Sequence, residues 1–320
     1  MKRLLARVAA SAALLLFAVP ALAQYPNKPV RVVVPFPAGS ATDTITRILG
    51  QSVSAAIGQP MLVDNKVGAD GAIAGAEVAK AAPDGYTLLM ATNSPMAVVP
   101  AMKKVAPYDP VADFTPITDI GRYTFFLYVN AELPIRSFRE LVAYAKANPG
   151  KLNYATGNTT GIVSFAQMNS LAGIDMTHVP YKGEPQGIGD LVGGRVQLMW
   201  ATPTTGLAHV KDGKLRAVAT NLKTHSSLLP EVPTMAEVGV PQYSVVSWAA
   251  LYGPAKMPRE IVTRLNKEFA DAMKRPDVIA AMEKQAFQMN PTSSEELGAF
   301  TKSQMEAYRT ILRAAGVQPE

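Results

Sequence analysis

The chain has no cysteine among its 320 residues. Disulfides, thiolate metal sites, a thiol nucleophile and lipid attachment at a cysteine are therefore all excluded. Histidine is scarce too: His178, His209 and His225 stand far apart with no ligand spacing, so each reads as structural. Neither a metal nor a cofactor is expected. Charged residues make up only 18% of the chain, and the formal net charge is +6. Three of the positive charges, Lys2, Arg3 and Arg7, fall in the first 23 residues, which leaves +3 for the rest and little basis for binding nucleic acid. Enzyme signatures are also missing. There is no Gly-x-Ser-x-Gly elbow and no phosphate loop ending in Gly-Lys-Ser/Thr, and the glycines at 68, 71 and 75 lack dinucleotide-binding spacing. No fixed-period repeat or low-complexity tract is visible, and no run is long and apolar enough to cross a bilayer.

What is present begins with a targeting pattern. Lys2, Arg3 and Arg7 precede an apolar core around Leu14 to Phe17, followed by Pro20 and Ala21-Leu22-Ala23. This predicts a signal peptide over residues 1–23, cut near Ala23, since the run falls short of the ~20 residues of a membrane anchor. The remaining 297 residues are expected in the periplasm as a monomer, and a 48% hydrophobic composition supplies a globular core.

Short apolar runs alternate with stretches of helical period. Strands are predicted at Val30 to Pro35, Met61 to Asn65, Tyr86 to Thr92, Leu152 to Thr156, Met176 to Tyr181, Val196 to Thr202, Leu215 to Thr220 and Val245 to Tyr252. Helices are predicted between the first two strands, ending at Gly58, and at Gly71 to Ala81, Ser137 to Asn148, Thr160 to Ala172, Pro185 to Leu191, Pro258 to Lys274 and Ser293 to Ala315. The last opens with Ser293-Ser294-Glu295-Glu296, a capping box. Repetition of strand and helix predicts α/β lobes with mostly parallel sheets. Two Pro-rich stretches, 105 to 130 and 221 to 245, bracket the middle block and read as two crossovers between lobes. The expected division is lobe 1 over 24–121, lobe 2 over 122–243, and a return into lobe 1 over 244–320.

The turns carry the functional signal. In "VVVPFPAGSATD" (32 to 43) a buried strand ends at prolines, Gly39 permits a tight turn, and Ser40 with Asp43 has capping-box spacing. That stretch reads equally as an ordinary helix start and as an anion site built from first-turn amides. Further turns, "ATNSPMA", "ATGNTTGIVS", "PYKGEPQ" and "ATPTTG", also follow strands and are rich in small polar residues. Five such strand ends lie where open α/β sheets bind ligands, and they suit a small polar anion. Asp43, beside several amides, is expected to be ionised and to orient groups rather than transfer protons.

The segments "YPNKPVRVVVPFPAGSATD", "APDGYTLLMAT", "YDPVADFTPIT", "FRELVAYAKANPGKLNYATG", "HVPYKG", "GKLRAVA", "LPEVPTMAEVG" and "PREIVTRLNKE" resemble, in this order, the tripartite tricarboxylate transporter substrate-binding receptors, also called the Bordetella uptake gene family. The resemblance spans essentially all of the chain after the signal. It implies a two-lobed periplasmic binding protein of type II-like fold, non-enzymatic, that closes over a small mono- or dicarboxylate and presents it to inner-membrane transporter subunits. It implies that Pro37, Ala38, Gly39, Ser40 and Asp43 grip one carboxylate through amides and waters. It maps Thr92, Asn93 and Ser94 onto a second turn and Gly157, Thr159, Thr160 and Ser164 onto the middle-lobe helix start. Tyr181, Lys182, Gly183, Thr202 and Trp248 are expected to complete the cleft, although Trp248 fits a core position equally well.

Two departures stand out. Ser40 replaces the usual second glycine of the first turn, and Ser164 stands where many members have histidine, which makes the far end of the pocket less basic. With Phe36, Tyr181 and Trp248 nearby, an aromatic or longer aliphatic dicarboxylate fits as well as a short one. Readings from other classes are a receptor that reports to a sensor kinase and a periplasmic hydrolase or isomerase using Asp43.

Overall fold

The computed structural model describes residues 25–314, 316 and 317, so the expected signal peptide and its cleavage site lie outside the described residues. No described helix is long and apolar enough to cross a membrane.

In the first third, β1 (Val30–Val34), β2 (Met61–Asn65) and β3 (Thr87–Thr92) are joined through α1 (Ala41–Ile57) and α2 (Ala72–Ala79). Both faces of β1 and β3 are covered, which explains their unbroken apolar sequences. Ser40 caps α1 by accepting the Asp43 amide, and Gly58 ends it in the left-handed region at φ 70°. Ile45, Leu49 and Val53 line the buried stripe between. β4 (Phe114–Tyr123) follows and runs almost directly into β5 (Phe126–Asn130) through Thr124 and Phe125. Two strands thus occupy most of the 105–130 segment expected as an irregular crossover, leaving 105–113 irregular, and β4 extends the first sheet to Tyr123, two residues past the expected boundary.

The middle block holds α3 (Phe138–Ala147), β6 (Asn153–Thr156), α4 (Thr159–Ala172), β7 (Thr177–Pro180), α5 (Glu184–Val192), β8 (Leu198–Ala201), α6 (Pro203–Lys211) and β9 (Leu215–Thr220). Residues 221–247 then run without a helix or an extended strand, apart from isolated bridges such as Thr220 with Thr234. The chain re-enters the first sheet as β10 (Trp248–Pro254), followed by α7 (Arg259–Ala272), α8 (Pro276–Glu283), β11 (Phe287–Met289) and α9 (Ser294–Ala314). The capping box is formed: the Ser293 amide donates to Glu296 Oε2 at 2.8 Å, and the Glu296 amide donates to Ser293 Oγ at 3.2 Å.

Two mixed sheets result, ordered β2-β1-β3-β10-β4-β11 and β7-β6-β8-β5-β9. In the first, β2, β1, β3 and β4 share a direction while β10 and β11 oppose it; in the second, only β5 is reversed. The fold is therefore α/β, as expected, but its sheets are mixed rather than mostly parallel: four of the nine strand pairings are parallel, because reversed β5, β10 and β11 sit where the chain crosses or returns. The C-terminal α9 packs Leu297, Tyr308 and Leu312 into a cluster with Val33, Leu89 and Tyr252 of the first sheet. That cluster also takes in Val163 of α4, so α9 touches both halves.

Candidate functional site

The polar turns converge between the two sheets. A cavity of about 30 Å³ is lined by Phe36, Ser40, Ala41, Thr42, Thr92, Ser94, Tyr123, Phe125, Gly157, Asn158, Thr160, Gly183, Glu184, Thr202 and Ser247. With the two halves in contact across it, such a space holds roughly one water, so a larger guest needs the halves to part. Asn93 Nδ2 donates to Thr160 Oγ1 at 2.7 Å, and Thr159 Oγ1 donates to Ser94 Oγ at 2.6 Å. A Cβ placed on Gly183 would lie only 2.7 Å from Pro37 Cγ. The arrangement is closed.

Four helices begin at this cavity: α1 at Ala41, α4 at Thr159, α5 at Glu184 and α6 at Pro203. Each N-terminus leaves backbone donors without intrahelical partners and carries a partial positive charge. At α4, Asn158 Oδ1 accepts the Gly161 amide at 2.9 Å, so its amide nitrogen is left to donate elsewhere. Among the described lining residues there is no Lys, Arg or His. No group of His, Asp and Glu among the described residues could hold a metal ion.

Asp43 lies beside the cavity rather than in its wall. Its carboxylate accepts the Gly39 amide at 3.0 Å, Asn65 Nδ2 at 3.0 Å and the Arg47 guanidinium at 2.9 to 3.1 Å. Burial alone would raise its pKa, but the bonds from Arg47, Gly39 and Asn65 together hold it below the usual carboxylate value. The group is an ionised brace that shapes the first turn.

Of the residues expected from sequence, Phe36, Ser40, Thr92, Ser94, Gly157, Thr160, Gly183 and Thr202 line the cavity. Pro37, Ala38 and Gly39 form the turn behind it, with Pro37 against Gly183. Asn93 and Thr159 are spent on the bonds that join the halves, and Ser164 is buried in α4 outside the lining. Tyr181 and Lys182 line a neighbouring cavity of about 270 Å³ that shares Phe36 and Gly157 with the first. The Tyr181 hydroxyl donates to Asp190 Oδ2 at 2.7 Å.

Trp248 requires a correction: its side chain does not reach the cavity. Alternation along β10 puts Trp248, Ala250 and Tyr252 in the cluster beneath α9, with Ala249 and Leu251 in the opposite one. The indole is fully buried, edge-on to Phe300 with ring centroids 5.3 Å apart. Only its backbone serves the site, donating to Asn93 Oδ1 at 3.4 Å.

Sequence reasoning missed Ala41, Thr42, Tyr123, Phe125, Asn158, Ser247 and above all Glu184. Glu184 Oε2 accepts the Thr202 amide at 3.0 Å, Thr202 Oγ1 at 2.6 Å and Thr205 Oγ1 at 3.0 Å, while Oε1 accepts Asn158 Nδ2 at 3.1 Å. Burial pushes this carboxyl above its usual pKa, and the same four bonds act against that rise. All four are donated to the carboxyl oxygens, and such bonds favour the ionised form. The available signal was the charged residue that follows Lys182-Gly183 in a turn otherwise made of small residues.

Residues 45–317 match the tripartite tricarboxylate transporter family receptors. The chain belongs to this family. A UPF0065 protein from the tcbD-tcbE intergenic region of Pseudomonas sp. (strain P51) is 35% identical to the receptor over 90% of this chain and 86% of that one. Among solved structures, Rpa4515 of R. palustris with adipate has a TM-score of 0.89 and 31% identity, covering 92% of the receptor and 100% of that chain. MatC from Rhodopseudomonas palustris with bound malate has a TM-score of 0.85 and 27% identity, covering 90% of the receptor and 100% of that chain. The receptor is thus a solute-binding protein of a periplasmic, transport-associated family, and its two sheets form the two halves of that fold.

Proposed function

We propose that this receptor closes over a small carboxylate at the cavity between its sheets and delivers it to the membrane subunits of a tripartite secondary transporter. The observation that carries this reading is the meeting of helix starts from both halves, α1 after Ser40 and α4 after Asn158, at one cavity with no basic side chain among its described lining residues. Backbone amides and hydroxyls then hold the anion, and a site of that kind gains from both helix dipoles. The adipate and malate bound by related structures are in keeping with it.

In this reading lobe 1 comprises the residues up to 123 with 248–320, lobe 2 comprises 126–220, and the segments at 124–125 and 221–247 join them as the hinge. The signal peptide exports the chain to the periplasm as a monomer. Phe36, Ser40, Thr92, Ser94, Thr160, Gly183 and Thr202 contact the ligand, while Pro37, Ala38, Gly39 and Asp43 shape the turn. The test is a melting-temperature screen of mono-, di- and tricarboxylates on protein freed of ligand by unfolding and refolding. A cognate carboxylate raises the transition by several degrees. No shift across the panel would overturn the reading.

A further inference from the structure

Glu184 puts an acidic side chain into a cavity proposed to hold a carboxylate, and two like charges side by side in one cavity repel. The repulsion is not spread evenly, because the four helix starts differ in what already faces them. At α5 and α6 the place where an anion would gather is taken: Glu184 is the first residue of α5, and its Oε2 holds the amide and hydroxyl of Thr202, the residue just before α6. At α1 the acidic side chain, Asp43, is committed to Gly39, Arg47 and Asn65 and lies outside the lining. At α4 the cap is Asn158, which is neutral. The first-turn amides of α1 and α4 are thus the ones left for a ligand carboxylate. Glu184 Oε1 accepts a single bond, from Asn158, and retains acceptor capacity in the wall of the cavity. Thr202, Thr205 and Asn158 hold it in place, so the charge cannot swing away without abandoning four donors.

We infer that Glu184 makes the receptor select a carboxylate whose other end carries an N–H or O–H donor, an ammonium or a hydroxyl, and reject one that ends in a second carboxylate. This rests on the proposed carboxylate site and adds a polarity to it: anion at the α1 and α4 starts, donor at Glu184.

The test is calorimetric titration of ligand-stripped wild-type protein with length-matched sets at three, four and six carbons. The four-carbon set is 4-aminobutyrate, 4-hydroxybutyrate, butyrate and succinate; the six-carbon set is 6-aminohexanoate, 6-hydroxyhexanoate, hexanoate and adipate. At the best length, the amino or hydroxy member should bind more than about tenfold more tightly than the dicarboxylate, and the two arms distinguish ammonium from hydroxyl. Glu184→Ala should narrow or reverse that ratio, with melting curves confirming that the variant folds. A dicarboxylate or a plain monocarboxylate that matches the donor-bearing member on wild-type protein overturns the inference and leaves the carboxylate site standing. Failure of every ligand to bind removes both. The wild-type comparison stands even if the variant does not fold.

Discussion

Removing the Asp43 carboxylate should affect the first turn and the ligand site together. In Asp43→Ala the Gly39 amide and Asn65 Nδ2, bonded at 3.0 Å each, lose their acceptor. Asn65 keeps a second bond to the Phe36 carbonyl at 2.9 Å, so its loss is partial. Arg47, whose side chain is 53% exposed, returns to water and contributes little. Stranding these donors should cost about 1 to 3 kcal/mol of stability and a similar amount of ligand affinity, because Ser40, Ala41 and Thr42 in the cavity wall hang from the same turn. The folded-state pKa of Asp43 is depressed, so its stabilisation is present above the ordinary carboxylate pKa and is lost as pH falls through the folded value. Urea denaturation of wild type and variant from pH 7 down to about pH 3 should therefore show a difference that is largest near neutrality and shrinks in acid. A difference that is absent, or that does not fall with pH, would refute the account of Asp43 as an ionised brace, and unchanged calorimetric affinity would separate the turn from the ligand.

Gly183→Ala should leave both halves folded but weaken ligand binding by about tenfold or more, since its Cβ would lie 2.7 Å and 2.8 Å from Pro37 atoms and hold the halves apart; wild-type affinity would mean that closure does not bring these residues together. Thr159→Val with Thr160→Val removes the two side-chain bonds that join the halves at the cavity, and small-angle scattering of the unliganded variant should show a larger radius of gyration than wild type. Equal radii would show that those bonds do not hold the closed arrangement. Trp248→Ala should cost about 3 to 5 kcal/mol in denaturation because the indole fills the core beneath α9; a variant that loses affinity with unchanged stability would return Trp248 to the cleft.

Where a segment's structure is set by its own neighbours in sequence, the residues were enough. Ser40 and Gly58 bound α1, Ser293 and Glu296 start α9, and the apolar runs of β1 and β3 are strands because bonds and burial within a few residues decide them. The polar strand ends were legible for the same reason, as short turns with characteristic residues. β4 was not, because Pro116, Asp119, Gly121 and Arg122 break its apolar pattern and only distant partners make it a strand: β10 on one side, with two register shifts, and β11 on the other. Gly121 sits at φ 149° with the Gln288 backbone against it, a constraint from 167 residues away in sequence. Side-chain destinations were likewise a tertiary matter. The pleat phase of β10 sends Trp248 under α9 rather than into the cleft, and that phase follows from pairing with β3 and β4. Glu184 lies in the turn "PYKGEPQ", and nothing within that turn shows where its side chain goes. Folding brings Thr202, Thr205 and Asn158 around it, 18, 21 and 26 residues distant, and only then does it become a buried carboxyl in the wall of the cavity.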